Sequence, residues 1–113
     1  MQHYRRSLLV LLIATLGYAA TLPVRTLLTN PRVVVKETTY LPGVPRERYT
    51  RPTDQVIVFL DDCRYSRKDS ATGEVTVRTR KSGEVIWHNK GEDAPVLTNL
   101  GTKPYRTLTI EMP

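Results

Sequence analysis

SGEVIWHNKGEDAPVLTNLGTKPYRTLTIEM, residues 82–112, decides the fold class. It holds three short runs, EVIWH at 84–88, VLTNL at 96–100 and YRTLTIEM at 105–112, separated by Asn89 with Gly91 and by Gly101 with Pro104. Runs of roughly four to eight residues, rich in β-branched and aromatic types and bounded by Gly, Pro and Asn, read as strands. The last run alternates: Leu108 and Ile110 share a face with Arg106, while Tyr105, Thr107, Thr109 and Glu111 share the other. None of the three shows helical periodicity.

The same signals continue upstream. Residues 74–80 (EVTVRTR) alternate, with Val75, Val77 and Thr79 on one face and Glu74, Thr76, Arg78 and Arg80 on the other. That pattern predicts a half-solvated antiparallel strand. The polar loop KDSATG at 68–73 joins it to a strand over 63–67, with Gly73 free to take positive φ. QVIVFL at 55–60 is short and nearly continuous in apolarity, as for a strand buried on both faces. Pro45 and Pro52 make residues 44–54 irregular and edge-like. Residues 32–40 read as a strand ended by Pro42-Gly43. About seven short strands at turn spacing predict an all-β sandwich or small barrel.

The N-terminal stretch differs in character. Arg5 and Arg6 precede an apolar run from Leu8 to Leu16, and Gly17, Tyr18, Ala19 and Ala20 follow. A charged start, a short apolar core and a small-residue end describe a secretory leader, so residues 1–20 are expected to be a signal peptide or an N-terminal membrane anchor. Residues 21–31 then read as a tether broken at Asn30-Pro31, and 32–113 as the domain. The expected location is periplasmic or extracellular, with a membrane involved only if the leader is retained.

The 113 residues carry a formal charge of +6, part of it from Arg5 and Arg6 in the leader. The remaining basic residues are scattered among acidic ones, without the dense stripe and stacking aromatics of a nucleic-acid binder. Cys63 is the single cysteine, so no internal disulfide is available, and it reads as a small buried hydrophobe. Asp61-Asp62 and Glu92-Asp93 fall at turns, where Asp is common for local hydrogen-bonding reasons.

From about residue 30 to the end the chain resembles single-domain bacterial cupins of the RmlC-like jelly-roll type. Three pieces carry the likeness: PGVPRERYTRP at 42–52, QVIVFLDDC at 55–63, and residues 82–112, where Gly83, Val85, Trp87, Gly91, Asn99, Gly101, Pro104 and Tyr105 match the pattern. The resemblance implies a small jelly-roll barrel. It also implies a metal site whose first two histidines map onto Tyr49 and Arg51, whose acid maps onto Gln55 or Val56, and whose third histidine maps onto Ala94 or Pro95. Those residues are not the imidazoles and carboxylates a divalent transition metal needs. Only two histidines exist, His3 in the leader and His88.

The expected function follows from that substitution: an exported cupin-like module that binds a small polar or anionic molecule or serves a structural role, with no metal, cofactor or catalysis. Tyr49, Arg51, Gln55, Trp87 and Asn99 are the expected pocket residues, because a guanidinium offers a rigid donor fork for carboxylate or phosphate. The opposing expectation is that Arg51 pairs with Glu47, Asp54 or Glu92 and fills the barrel. Trp87 and His88 are neighbours on a strand and face opposite sides. Trp87 is expected in the core or a pocket wall. The alternative function is a metal-independent cupin enzyme of the sugar isomerase or epimerase type using His88 or Tyr49. A homodimer is a further expectation, formed through a sheet edge or the arm at 21–28.

Overall fold

Period-two alternation along the chain becomes strands throughout the computed structural model, which describes residues 21–113. The elements are β1 (Val24–Thr29), β2 (Val34–Tyr40), β3 (Pro45–Arg46), β4 (Tyr49–Thr50), β5 (Asp54–Phe59), β6 (Cys63–Lys68), β7 (Val75–Arg80), β8 (Val85–His88), β9 (Asp93–Ala94), β10 (Val96–Asn99) and β11 (Tyr105–Met112). They form a five-stranded sheet in the order β1-β2-β11-β5-β8, a four-stranded sheet β3-β10-β6-β7 and a two-stranded ribbon β4-β9. No helix is present among the described residues. The secretory-leader reading falls on residues 1–20, outside them.

Turn chemistry accounts for the tight connections. Asp69 Oδ1 accepts from the backbone of Ala71 and Thr72, and Gly73 closes the loop at φ 75°. Gly83 takes φ 91° between β7 and β8, a region that costs residues with a Cβ. The segment read as a tether is different from expectation. Residues 24–29 are β1, paired antiparallel with β2 at the sheet edge. The Asn30-Pro31 break is not a linker but the turn between them, with Asn30 Oδ1 accepting from Arg32 and Val33 backbone nitrogens.

The two large sheets meet through aromatic rings. Tyr40 and Tyr105 are cross-strand partners whose rings stack at 4.7 Å. Phe59 of the first sheet reaches Tyr65 of the second at 6.2 Å, and Tyr65 lies the same 6.2 Å from Tyr105. All four rings are buried. Each such pair contributes roughly 0.5–1.5 kcal/mol beyond its area burial.

Beyond this aromatic cluster the usual polarity of a sheet is turned over. The register places Leu28, Val35, Ile110, Val56 and Trp87 in one row across all five strands of the first sheet, on its outer face. Thr109, Glu111, Gln55 and His88 face inward, on the side of Tyr105. QVIVFL therefore has one buried face, through Gln55 and Phe59, while Val56 and Val58 look outward. In β7, Val75 and Val77 are 60% and 50% exposed, and Arg78 and Arg80 take the interior side. An interior that admits charge and threonine in this way encloses space rather than packed side chains.

Candidate functional site

That space is a cavity of about 950 Å³ between the two sheets, with the rings of Tyr40, Phe59, Tyr65 and Tyr105 in its lining. Its most buried cation is Arg51, only 5% exposed. The residue is fixed by its backbone: its N–H donates to Glu92 O at 2.9 Å, and its carbonyl accepts from Gly91 at 2.8 Å. This extends the β4-β9 ribbon in which Tyr49 pairs with Ala94. The side chain then turns in. Nη1 donates to Gln55 Oε1 at 3.1 Å and to Tyr49 Oη at 3.2 Å. Gln55 is 1% exposed and sits opposite His88 in the β5-β8 ladder. Burial lowers the Arg51 pKa from its ordinary value, and the Arg46 guanidinium pushes in the same direction.

No carboxylate meets this guanidinium among the described residues. The expected internal partners are engaged elsewhere or do not reach it. Glu92 accepts from His88 Nδ1 at 2.9 Å and from Asn89 Nδ2 at 3.1 Å. Asp54 accepts from the Lys90 backbone nitrogen. Arg51 Nε is buried without a hydrogen-bond partner, and so is Arg46 Nε. Arg46 donates to the Pro95 carbonyl and to Tyr40 Oη, and its guanidinium lies 5.4 Å from the centre of the Tyr49 ring, with that of Arg51 at 5.6 Å. Arg67, Arg78 and Arg80 line the same cavity, again with no ion pair among the described residues. Residues 1–20 contain no Asp or Glu that might supply one.

The structure brings together Tyr49, Arg51 and Gln55. It puts the other two expected pocket residues elsewhere. Trp87 is 52% exposed on the outer face of β8, because His88 takes the inward side of the same strand and neighbours alternate. Its Nε1 donates to Asn89 Oδ1. Asn99 is 2% exposed but clamps a turn: Nδ2 donates to the carbonyls of Tyr40 and Lys103, and Oδ1 accepts from Gly101 N–H. The two acidic pairs are also dissolved by their partners. Asp61 makes a two-pronged contact with Arg106 at 3.0 Å on each prong, and Asp93 binds Arg48 at 2.6 Å.

His88 lines the cavity. Desolvation lowers its pKa and the Arg51 charge adds to this, while the bond to Glu92 opposes both. The Glu92 carboxyl is in turn held below its ordinary range by His88. The sign for stability follows from the lowered imidazole value. The unfolded chain takes up its proton near the ordinary value of 6.5, at a pH where folded His88 is still neutral. The unfolded state therefore binds more protons in that window, and stability rises as pH climbs through it. Urea titrations at stepped pH are expected to show this slope in the wild type and to lose it in His88→Gln. An equal slope in both contradicts the assignment.

These features place the domain among cupin-type, RmlC-like double-stranded β-helix folds. The chain is similar to a cupin domain from Bordetella pertussis at 16% identity and TM-score 0.71, covering 81% of this chain and 93% of that one. It is also similar to a conserved protein with a double-stranded β-helix domain from Klebsiella pneumoniae, at 17% identity, TM-score 0.65 and coverages of 83% and 78%. An RmlC-like cupin family protein from Methanocaldococcus jannaschii matches at 10% identity and TM-score 0.63, over 82% and 81% of the two chains. Identities this low show the fold alone. No family model matches the chain, and no curated protein does.

The positions onto which the resemblance maps a metal's ligands do converge here, through the Tyr49–Ala94 pairing and the Arg51–Gln55 bond. Their donor set is a phenol, a guanidinium, a carboxamide and a methyl. That set does not fit a divalent transition metal, which asks for imidazole, carboxylate or thiolate. Among the described residues no three His, Cys, Asp or Glu side chains gather as a ligand set.

Proposed function

We propose that this protein is a cupin-fold module that binds a small anionic molecule in its arginine-lined cavity, without a metal centre and without catalysis. One observation carries the reading: a guanidinium buried to 5% exposure, held by a neutral phenol and a neutral carboxamide, with no carboxylate against it. Burying an unpaired charge is costly, and an anion at this point offsets the cost. Guanidinium groups match carboxylate and phosphate oxygens through paired N–H donors. Tyr49 and Gln55 then act as positioning residues that fix the fork.

A thermal-shift series on the full chain tests this. Ligands that bind only the folded state stabilise it by RT ln(1 + [L]/Kd), about 2.7 kcal/mol at a hundredfold excess over Kd. Sulfate, phosphate and short carboxylates are expected to raise the midpoint in a saturating way, while chloride at equal ionic strength and neutral sugars leave it unchanged. Equal effects of chloride and sulfate overturn the reading. Metal analysis of the same preparation is expected to find no stoichiometric Fe, Mn, Ni or Zn, and one equivalent of any of them contradicts the metal-free part.

The His88–Glu92 pair favours a second reading, a metal-independent isomerase or epimerase. A neutral imidazole oriented by a carboxylate, inside a cavity with cationic groups, has the parts of a general base beside an anion-stabilising wall. Proton exchange at a carbon next to a carbonyl, lost in His88→Gln, separates this reading from plain binding. The same overall proposal places the protein outside the cytoplasm, on the strength of the leader-like sequence at 1–20. N-terminal sequencing of the exported chain is expected to begin near Thr21, and a mature chain beginning at Met1 in the cytoplasmic fraction contradicts it.

A further inference from the structure

We propose that the cavity is built for a dianion, a molecule with an anionic group at each end of an apolar body. This deepens the binding function proposed above and rests on it.

The second cationic group is the pair Arg78 and Arg80, successive inward positions on β7. Arg80 Nε donates to Tyr65 Oη at 3.4 Å, and its guanidinium carbon lies 5.5 Å from the centre of the Phe59 ring. Both Nη groups of the half-buried Arg80, and the guanidinium of Arg78, which is exposed at the cavity's rim, lack a protein partner among the described residues. Arg80 is thus stacked over the ring with no carboxylate against it, and Arg51 has none either.

β5 serves as the ruler between the two groups. Arg51 is bonded to Gln55 at the start of that strand, and Arg80 sits over Phe59 at its end. At roughly 3.3 Å per residue these anchor points lie about 13 Å apart along the strand. The inward residue between the anchors is Ile57, and its partner in the ladder is Ile86. Both line the cavity. The path from one guanidinium to the other therefore runs over two isoleucines beside an aromatic floor. A monoanion neutralises one end and leaves the other unpaired. A single molecule carrying carboxylate or phosphate at both ends satisfies both, and its apolar middle matches the wall it crosses. Joining two contacts in one molecule makes the second intramolecular, which raises affinity without a new type of contact.

The probe is a series of straight-chain dicarboxylates from succinate to sebacate, titrated calorimetrically into the full chain beside monocarboxylates of equal length. Affinity is expected to peak at one chain length within the series, where the diacid binds at least ~10-fold tighter than the monoacid of equal length. Arg80→Met, which keeps the stem over Phe59, is expected to bring that diacid down to the level of its monoacid. Arg78→Met does the same in smaller measure and serves if Arg80→Met fails to fold. If diacids bind no tighter than monoacids while monoacids bind, the dianion proposal falls and the anion-binding function stands. If neither binds, nor sulfate or phosphate, the underlying function falls with it.

Discussion

Arg51→Met is expected to remove anion binding while leaving the empty domain as stable as the wild type or more so. The two halves have one cause. In the empty protein the guanidinium is 5% exposed with no carboxylate within ion-pair distance among the described residues, and burial pushes its pKa down. Replacing an uncompensated buried charge by an apolar side chain of similar length relieves the desolvation penalty, and the lost bonds to Tyr49 and Gln55 are bonds to neutral groups. In the bound protein the same group makes charge-assisted contacts, and losing one partner of a buried charge pair costs about 2–5 kcal/mol, roughly 30-fold or more in affinity. An Arg51 that merely filled the barrel would give the opposite pattern. Stability measured by urea denaturation would drop, because neighbouring polar groups would be stranded, and sulfate binding by calorimetry would not change. Arg51→Lys is a useful companion. It keeps the charge but loses the planar fork, and is expected to retain weak binding.

Tyr105→Ala is expected to unfold the domain or bring it close to unfolding, while Tyr105→Phe leaves it equally or more stable. Tyr105 is 2% exposed, stacks on Tyr40 at 4.7 Å and lies 6.2 Å from Tyr65, so it links both sheets. Truncating a large buried aromatic to Ala costs about 3–5 kcal/mol. A domain of this size has a total stability near the low end of roughly 5–15 kcal/mol, so one such loss consumes most of it. The hydroxyl is a separate matter. Its oxygen is buried with no hydrogen-bond partner among the described residues, and burial pushes its pKa well upward, so it stays protonated. Removing an unsatisfied buried polar group is neutral or favourable. Thermal denaturation of the two variants checks both statements. A Phe variant less stable by more than about 1 kcal/mol would mean that the hydroxyl has a partner.

The strands were legible because alternation and turn residues agree. In β11, Tyr105, Thr107, Thr109 and Glu111 form the inward face, as period two requires. Tyr49, Arg51 and Gln55 were legible as a cluster through their spacing in the resemblance, and the structure joins them by two hydrogen bonds. What alternation does not carry is which face looks inward. The rule that apolar faces turn in fails where the interior is an open cavity. Arg78 and Arg80 sit on one face of EVTVRTR and read as solvated; they line the cavity, Arg78 exposed and Arg80 half-buried, while the valines face out. The same ambiguity decided Trp87 against His88. Only one of two neighbours can face in, and the apolar one took the outside. β1 was hidden for a different reason. All six of its residues are exposed, so its place in the sheet comes from backbone pairing with β2, which leaves no burial pattern to read.

The most direct measurement is anomalous diffraction from crystals of the protein soaked in selenate, which locates an oxyanion by its selenium. The expected result is a selenium peak inside the cavity, with selenate oxygens at hydrogen-bond distance from the Arg51 guanidinium and Tyr49 still bonded beside it. A cavity without selenium, with Arg51 swung onto Glu47 or Glu92 as an internal ion pair, would contradict it.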